Sequence, residues 1–295
     1  MLLFHFHGTA QDSSMQVEDL YEEQTQVMPA QGILWKISGG NLEVPSYLYA
    51  SLFVVPKSLF FLHPAMDSLL DQCQEVMMEV DPDKVDPDYL FRSEIPIDSS
   101  LEVLMGKKQY KALWKFMENE LTEASIRKVI GRYPPLIVQR QIMFDFCLRL
   151  RQDQEAIHIE KYLKDALRDV DFSSLNLEWV RSAWLDQYSW KEQTRMLQEG
   201  LDKRLESRAA FEGMIRAYRQ QNLDRVWFLS QKAPDLGDNK HVLIDLRVSS
   251  WKEALTEKMP QKAVFGIIPA VTLPGEYGLL HQLRKQGYRV EAIAY

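Results

Sequence analysis

Apolar positions along the chain fall on two different periods, and the switch between them divides it into three stretches. Near the start, Gly32 opens an apolar-rich run, Ile33–Ser38; Gly39-Gly40-Asn41 supplies a turn, and Ser46–Val55 follows as a second strand of a β-hairpin. From Pro64 to Gln74 the period changes: Met66, Leu69, Leu70 and Cys73 share one helical face. Val76–Val80 is a short buried strand that stops at Asp81-Pro82-Asp83, where proline ends ladder pairing.

The middle third is helical. Leu101, Leu104, Tyr110, Leu113, Trp114, Met117 and Leu121 recur at three- and four-residue intervals, with a break at Gly106. Gly131-Arg132-Tyr133-Pro134-Pro135 is a second break, after which Ile137–Leu150 starts another helix. Ile159–Val170 is amphipathic through Tyr162, Leu163, Ala166 and Leu167, and residues 178–230 carry two or three further helices. Trp179, Trp184, Trp190 and Trp227 in that tract read as core packing. The chain closes with strand 263–268, helix 277–286 and strand 289–294, a unit that fits a sheet with helices packed on it. No internal repeat is evident.

Composition narrows the class. With 295 residues, 46% hydrophobic and 26% charged, the chain suffices for one large or two small domains with a sizeable core. A net charge of -7 with no basic block argues against a nucleic-acid partner. No apolar run reaches the ~20 residues of a membrane-spanning helix. Cys73 and Cys147 have no metal-like spacing; buried free thiols are preferred over a pair formed in an oxidising compartment. Met1–Ala10 followed by Gln11 has a short apolar stretch and small residues at Gly8 and Ala10, as at the end of a secretory signal, although it lacks a basic start. That pattern implies a periplasmic or secreted protein, with a cytoplasmic one as the alternative. Polar, acidic residues 12–31 read as a linker.

Two segments about 220 residues apart carry the candidate chemistry. The first runs through Leu34-Trp35-Lys36, Pro45-Ser46-Tyr47-Leu48-Tyr49-Ala50-Ser51-Leu52-Phe53 and Met78-Glu79-Val80-Asp81. The second is Val264–Thr272, then Leu273-Pro274-Gly275-Glu276 and Gly287-Tyr288-Arg289-Val290. Together they resemble the TraB/GumN family, which includes the Tiki metalloproteases and whose members carry a G-x-x-H motif in each segment. Here both motifs are degenerate. Ala50 and Phe53 stand where the family has glycine and histidine in the first, and Pro269 and Thr272 in the second.

The resemblance implies a divalent metal held by the two histidines. Phe53 offers no lone pair, and Thr272 only a weak neutral hydroxyl. Glu79 matches the family's strand-end acid, which can be a metal ligand or general base, or can bond a nearby backbone or arginine. Arg247 matches an arginine of the family, whose neighbouring asparagine is Val248 here; it can bind a substrate carboxylate or pair with Glu79. The resemblance marks Asn176, in Ser174-Leu175-Asn176-Leu177-Glu178, as the place of a further lost carboxylate. Ser51 replaces a family threonine, with no base in the local sequence to activate it. Leu273-Pro274-Gly275-Glu276 is retained and opens the terminal helix. Among the histidines, His63 precedes a helix near the second strand; His5, His7, His158, His241 and His281 show no ligand-pair spacing.

The resemblance therefore implies a mixed α/β fold: a central mixed sheet from the N- and C-terminal segments, covered by many helices. Residues 1–31 are read as signal remnant and linker, and 32–295 as a single domain with a helical middle at about 101–260. The expected cleft bears Ser51, Phe53, Glu79, Arg247, Thr272 and Glu276. The preferred function is a catalytically inactive relative kept as a binding or scaffold protein, without cofactor and with a peptide or protein ligand. The alternative is a metal-dependent peptidase or hydrolase holding Mn, Co or Zn on Glu79, His63 and Asp81.

Overall fold

Short apolar runs bounded by glycine, proline and serine fold as strands in the computed structural model. It describes residues 29–52, 54–83, 100–120, 133–149, 156–166, 170–175, 187–232 and 240–294. The strands are β1 (Leu34–Ser38), β2 (Ser46–Ser51), β3 (Val54–Pro56), β4 (Glu75–Met78), β5 (Ala156–His158), β6 (Asp171–Ser174), β7 (Val264–Pro269) and β8 (Arg289–Ala292). Six form one sheet in the order β6-β4-β7-β2-β1-β8, while β3 and β5 pair separately and antiparallel. The fold is mixed α/β, as expected. The sheet comes from both chain ends, apart from β6, which the helical middle contributes.

Within the sheet β2, β7, β4 and β6 run parallel, and β1 is antiparallel to both β2 and β8. The central strand β7 is an unbroken apolar run, as a strand covered on both faces requires. Gly266 is needed there: a Cβ would come 3.0 Å from the Leu48 side chain of β2. Ser46 Oγ accepts the Val264 N–H at 3.0 Å and fixes the starts of β2 and β7 side by side. Ser46–Val55, read as one strand, is two. Its first part joins the main sheet and its second pairs with β5, so the chain leaves the sheet just after Ser51.

The helices are α1 (Met66–Leu70), α2 (Leu101–Met105), α3 (Lys107–Glu120), α4 (Pro135–Arg149), α5 (Ile159–Ala166), α6 (Trp190–Asp202), α7 (Arg204–Arg219), α8 (Leu223–Lys232), α9 (Lys240–Lys258) and α10 (Leu279–Lys285). Gly106 separates α2 from α3 at φ +80°, a backbone state that glycine adopts without strain. Pro135 sits at the first position of α4, where its missing N–H costs no helical bond. Ser189 and Glu192 form a capping box that starts α6.

Among the described residues two main apolar clusters result, with a small third one of Leu136 and Met196. The larger gathers the sheet with α1, α5 and α7–α10, around Trp35, Tyr49, Phe265 and Trp251. The second lies wholly among helices: Leu101, Met105, Leu113, Met117, Val138, Ile142, Met143, Phe146 and Leu197 of α2, α3, α4 and α6. Ala30 and Gln31, within the stretch read as linker, are fixed to the helical layer. The Ala30 N–H donates to Asp224, Gln31 bridges to Asn222, and the Gly32 N–H donates to the Gln221 carbonyl. Cys73 is buried and Cys147 half-buried; neither is in a disulfide.

At the amino end of the parallel strands Glu75 is only 2% exposed. Its Oε1 accepts from Lys258 and from Ser173, and Lys262 Nζ lies 2.5 Å from its Oε2 as an ion pair. Burial alone would raise its pKa, but the two lysines and the serine outweigh it and hold the carboxyl at about 2. A carboxyl depressed in the folded state stabilises above the ordinary range and loses that contribution as pH falls from about 4.5 to about 2. Removing one member of a buried ion pair costs ~3–5 kcal/mol, and because both lysines are a third exposed, about 2 kcal/mol is the appropriate figure here. Glu75→Gln is expected to lower stability by that amount at pH 7 and to flatten the acid limb of the stability profile, as measured by urea unfolding between pH 2 and 7.

Candidate functional site

Parallel strands leave a crevice at their carboxyl ends, the usual position of a site in such sheets. Here that edge presents Ser51 at the end of β2, Pro269 at the end of β7, and Glu79 just beyond β4. Two helices complete it. Pairing of β3 with β5, Val54 against His158, sets the start of α5 beneath the end of β2. Ser51 Oγ consequently donates to Glu160 Oε1 at 2.6 Å. From the other side α9 carries Arg247, whose Nε lies 2.8 Å from Glu79 Oε1. The N–H does not point at that oxygen, so the contact is coulombic rather than an aligned hydrogen bond.

Glu160 is the residue the sequence did not reveal as part of the site. Its Oε2 is sealed from solvent and meets no other residue's hydrogen-bonding group among the described residues. Burial pushes its pKa up to about 7; the Ser51 hydroxyl opposes the shift, and the Glu79 charge adds to it. The charge is felt further in. Tyr218 of α7 donates to the Ala50 carbonyl at 2.7 Å and lies 3.1 Å from the Tyr49 hydroxyl. Burial raises both phenols, Tyr49 to about 12 and Tyr218 well above its usual value, with Glu160 contributing to each. A first-turn acid on an amphipathic helix ordinarily answers the helix dipole. Only the β3–β5 pairing turns this one inward, and nothing in the local sequence announces that pairing.

Two of the degenerate motif positions, Ala50 and Thr272, are absorbed into the scaffold. Ala50 is fully buried, its N–H bonded to the Ile33 carbonyl and its own carbonyl to Tyr218. Thr272 is also fully buried, and its hydroxyl donates to the Pro269 carbonyl at 2.7 Å, closing the short 3₁₀ turn Ala270–Thr272. Phe53 and Asn176 lie outside the described residues.

The remaining candidates do not gather at the cleft. His63 is 3% exposed; its Nδ1 accepts the Ala65 N–H at 3.2 Å, and its ring rests against the backbone of Ile293 and Ala294 beyond β8. Burial lowers its pKa. In the sheet β1, β2 and β7 lie between β8 and the strand that carries Glu79. Asp81 is paired with Lys164, which also holds Asp83 at 2.9 Å. Glu276 is exposed in the turn before α10, whose first residue is Leu279 rather than position 277.

Among the described residues no three of His, Cys, Asp and Glu converge on one point. Among the described residues, the polar side chains at the strand ends are a serine, two glutamates and an arginine. A divalent metal of the kind the resemblance implies favours imidazole or free carboxylate, and the guanidinium beside Glu79 opposes a second cation there. The donor set does not fit such a metal.

The sequence matches the TraB/PrgY/gumN family over residues 33–292, and the chain belongs to that family. No curated protein and no solved structure matches it. Among the described residues no helix is long and apolar enough to cross a membrane.

A carboxyl raised from 4.5 to about 7 binds a proton in the folded state that the unfolded chain has already lost. Its contribution therefore turns unfavourable as pH rises through that window. Glu160→Gln keeps an acceptor for Ser51 and removes the charge. It is expected to stabilise the protein by about 1–2 kcal/mol at pH 8 while leaving stability at pH 5 nearly unchanged. Thermal unfolding of both proteins at the two pH values checks this.

Proposed function

We propose that this chain is a family member that has given up metal-dependent hydrolysis and uses the strand-end cleft to bind a peptide or protein ligand. It would do so in the exported compartment that the Met1–Ala10 pattern implies. The observation that carries the reading is the Arg247–Glu79 contact. The acid that the family resemblance marks as ligand or base faces a guanidinium rather than an open coordination position. Thr272 supports it too, since its hydroxyl is committed to its own turn.

Binding chemistry remains available. Below neutral pH the Glu160 carboxyl is largely protonated, so the charged groups left at the strand ends are Arg247 and Glu79. They offer opposite charges to a peptide's own donors and acceptors. A carboxyl raised by burial beside a second carboxylate is a recognised marker of functional sites.

The hydrolase reading with relocated ligands needs Glu79, His63 and Asp81 to converge. Their present partners, Arg247, the β8 edge and Lys164, weigh against it.

Elemental analysis of purified protein, with calorimetric titration of Mn, Co and Zn, tests the proposal. The expected result is substoichiometric metal, no saturable site, and no cleavage of a peptide library. Stoichiometric metal that is lost on Glu79→Ala would overturn it.

A further inference from the structure

A second concavity lies on the other side of Tyr218. It is an open groove of about 310 Å³ lined by Ser58, Leu59, Phe60, Phe61, Arg219 and Gln221, at the lower end of the ~300–1,000 Å³ typical of small-molecule sites. We infer that this groove binds a small organic anion that joins one carboxylate to an apolar body such as a phenyl ring. The inference is independent of whether the strand-end cleft is hydrolytic.

Charge is the first support. On α7, Arg208 and Arg216 both pair with Glu212, but Arg219 has no acidic partner among the described residues. In a chain of net charge -7 an unpaired arginine on the wall of a groove is the feature that would draw in an anion. Its guanidinium can hold a carboxylate through two parallel bonds. The dipole of α7 also favours cations in its last turn, but Arg216 already meets that need.

Preorganisation is the second. The Phe60 ring is held edge-on by Tyr162, centroids 4.8 Å apart, and the Phe61 ring rests 5.8 Å from that of Tyr218. These apolar walls are placed before any ligand arrives, which lowers the entropy lost on binding. Gln221 also lines the groove, at φ +57°, the one non-glycine residue with positive φ among those described. Two backbone bonds hold it there: its N–H donates to the Tyr218 carbonyl at 2.8 Å, and its carbonyl accepts from Gly32 at 2.7 Å. Those bonds close the end of α7 and fix where the Gln221 side chain starts, which places its amide at the groove. Ser58, exposed beside it, supplies a hydroxyl.

The test is calorimetric titration of the full chain with 3-phenylpropionate and with its neutral amide, 3-phenylpropionamide. The acid is expected to bind with a Kd below about 1 mM, and the amide at least tenfold more weakly. Arg219→Gln, on an exposed helix end, is expected to keep the parent melting temperature and lose at least tenfold in affinity, with Arg219→Lys in between. Gln221→Gly is expected to fold as well as the parent and to bind severalfold more weakly, a loss that a purely structural role would not produce. A dipeptide ending in phenylalanine, compared with its C-terminal amide, separates the two sources of such an anion: tighter binding than 3-phenylpropionate assigns a chain terminus, weaker binding a small free acid. Equal affinity for acid and amide, no binding at 10 mM, or unchanged affinity in both Arg219→Gln and Gln221→Gly would overturn the inference.

Discussion

The parallel pairing of β2 with β7 is the interaction on which the rest depends. It joins residues 218 positions apart, through Ser46 and Val264 at one end and Ser51 opposite Pro269 at the other. Both strands are apolar and buried, so the pairing removes much of the sheet's apolar surface from water and aligns the degenerate motif positions at one edge. A one-residue slip would turn Tyr49 and Ile267 to the wrong faces. The Ser46 hydroxyl and, two residues further along β7, Gly266 guard the register.

The two ends of the parallel strands have opposite electrostatic character. At the amino end Glu75 is closed between two lysines and a serine, and its carboxyl is driven far below the usual range. At the carboxyl end Glu160 has one serine and a second carboxylate nearby, and it is driven upward. One buried glutamate serves stability and the other opposes it. The difference follows from partners rather than from depth.

Much of the fold was legible because it is written in local pattern. The hairpin, the Gly106 break, the helix after Pro134-Pro135 and the closing strand–helix–strand unit all announce themselves through periodicity and breakers. β6 did not: Asp171-Phe172-Ser173-Ser174 is a four-residue edge strand with a single apolar side chain, too short for a period to show. The division of Ser46–Val55 between two sheets was hidden for a related reason, since β3 gains its identity only from β5. Of the site, Glu79 and Arg247 were named from the resemblance, and their contact was one of the two roles open to the arginine. Glu160 was missed because its inward turn is a tertiary event. Glu276 was grouped with the cleft because its neighbours are retained, yet Pro274 and Gly275 shape a turn that leaves its carboxylate in water.

The helical cluster of Leu101, Met117, Ile142, Phe146 and Leu197 has a consequence for the order of events during synthesis. Its members all emerge before β7 exists, whereas the main sheet cannot close until the final 30 or so residues are made. Local contacts form quickly and distant pairings slowly. On the ribosome, the helical middle can therefore collapse first around its own apolar interior. During that interval β1, β2 and β4 are apolar strands without their central partner, the state in which unpaired strand edges most readily associate with other chains. The nascent chain is then most in need of a chaperone between the completion of α6 and the arrival of Val264.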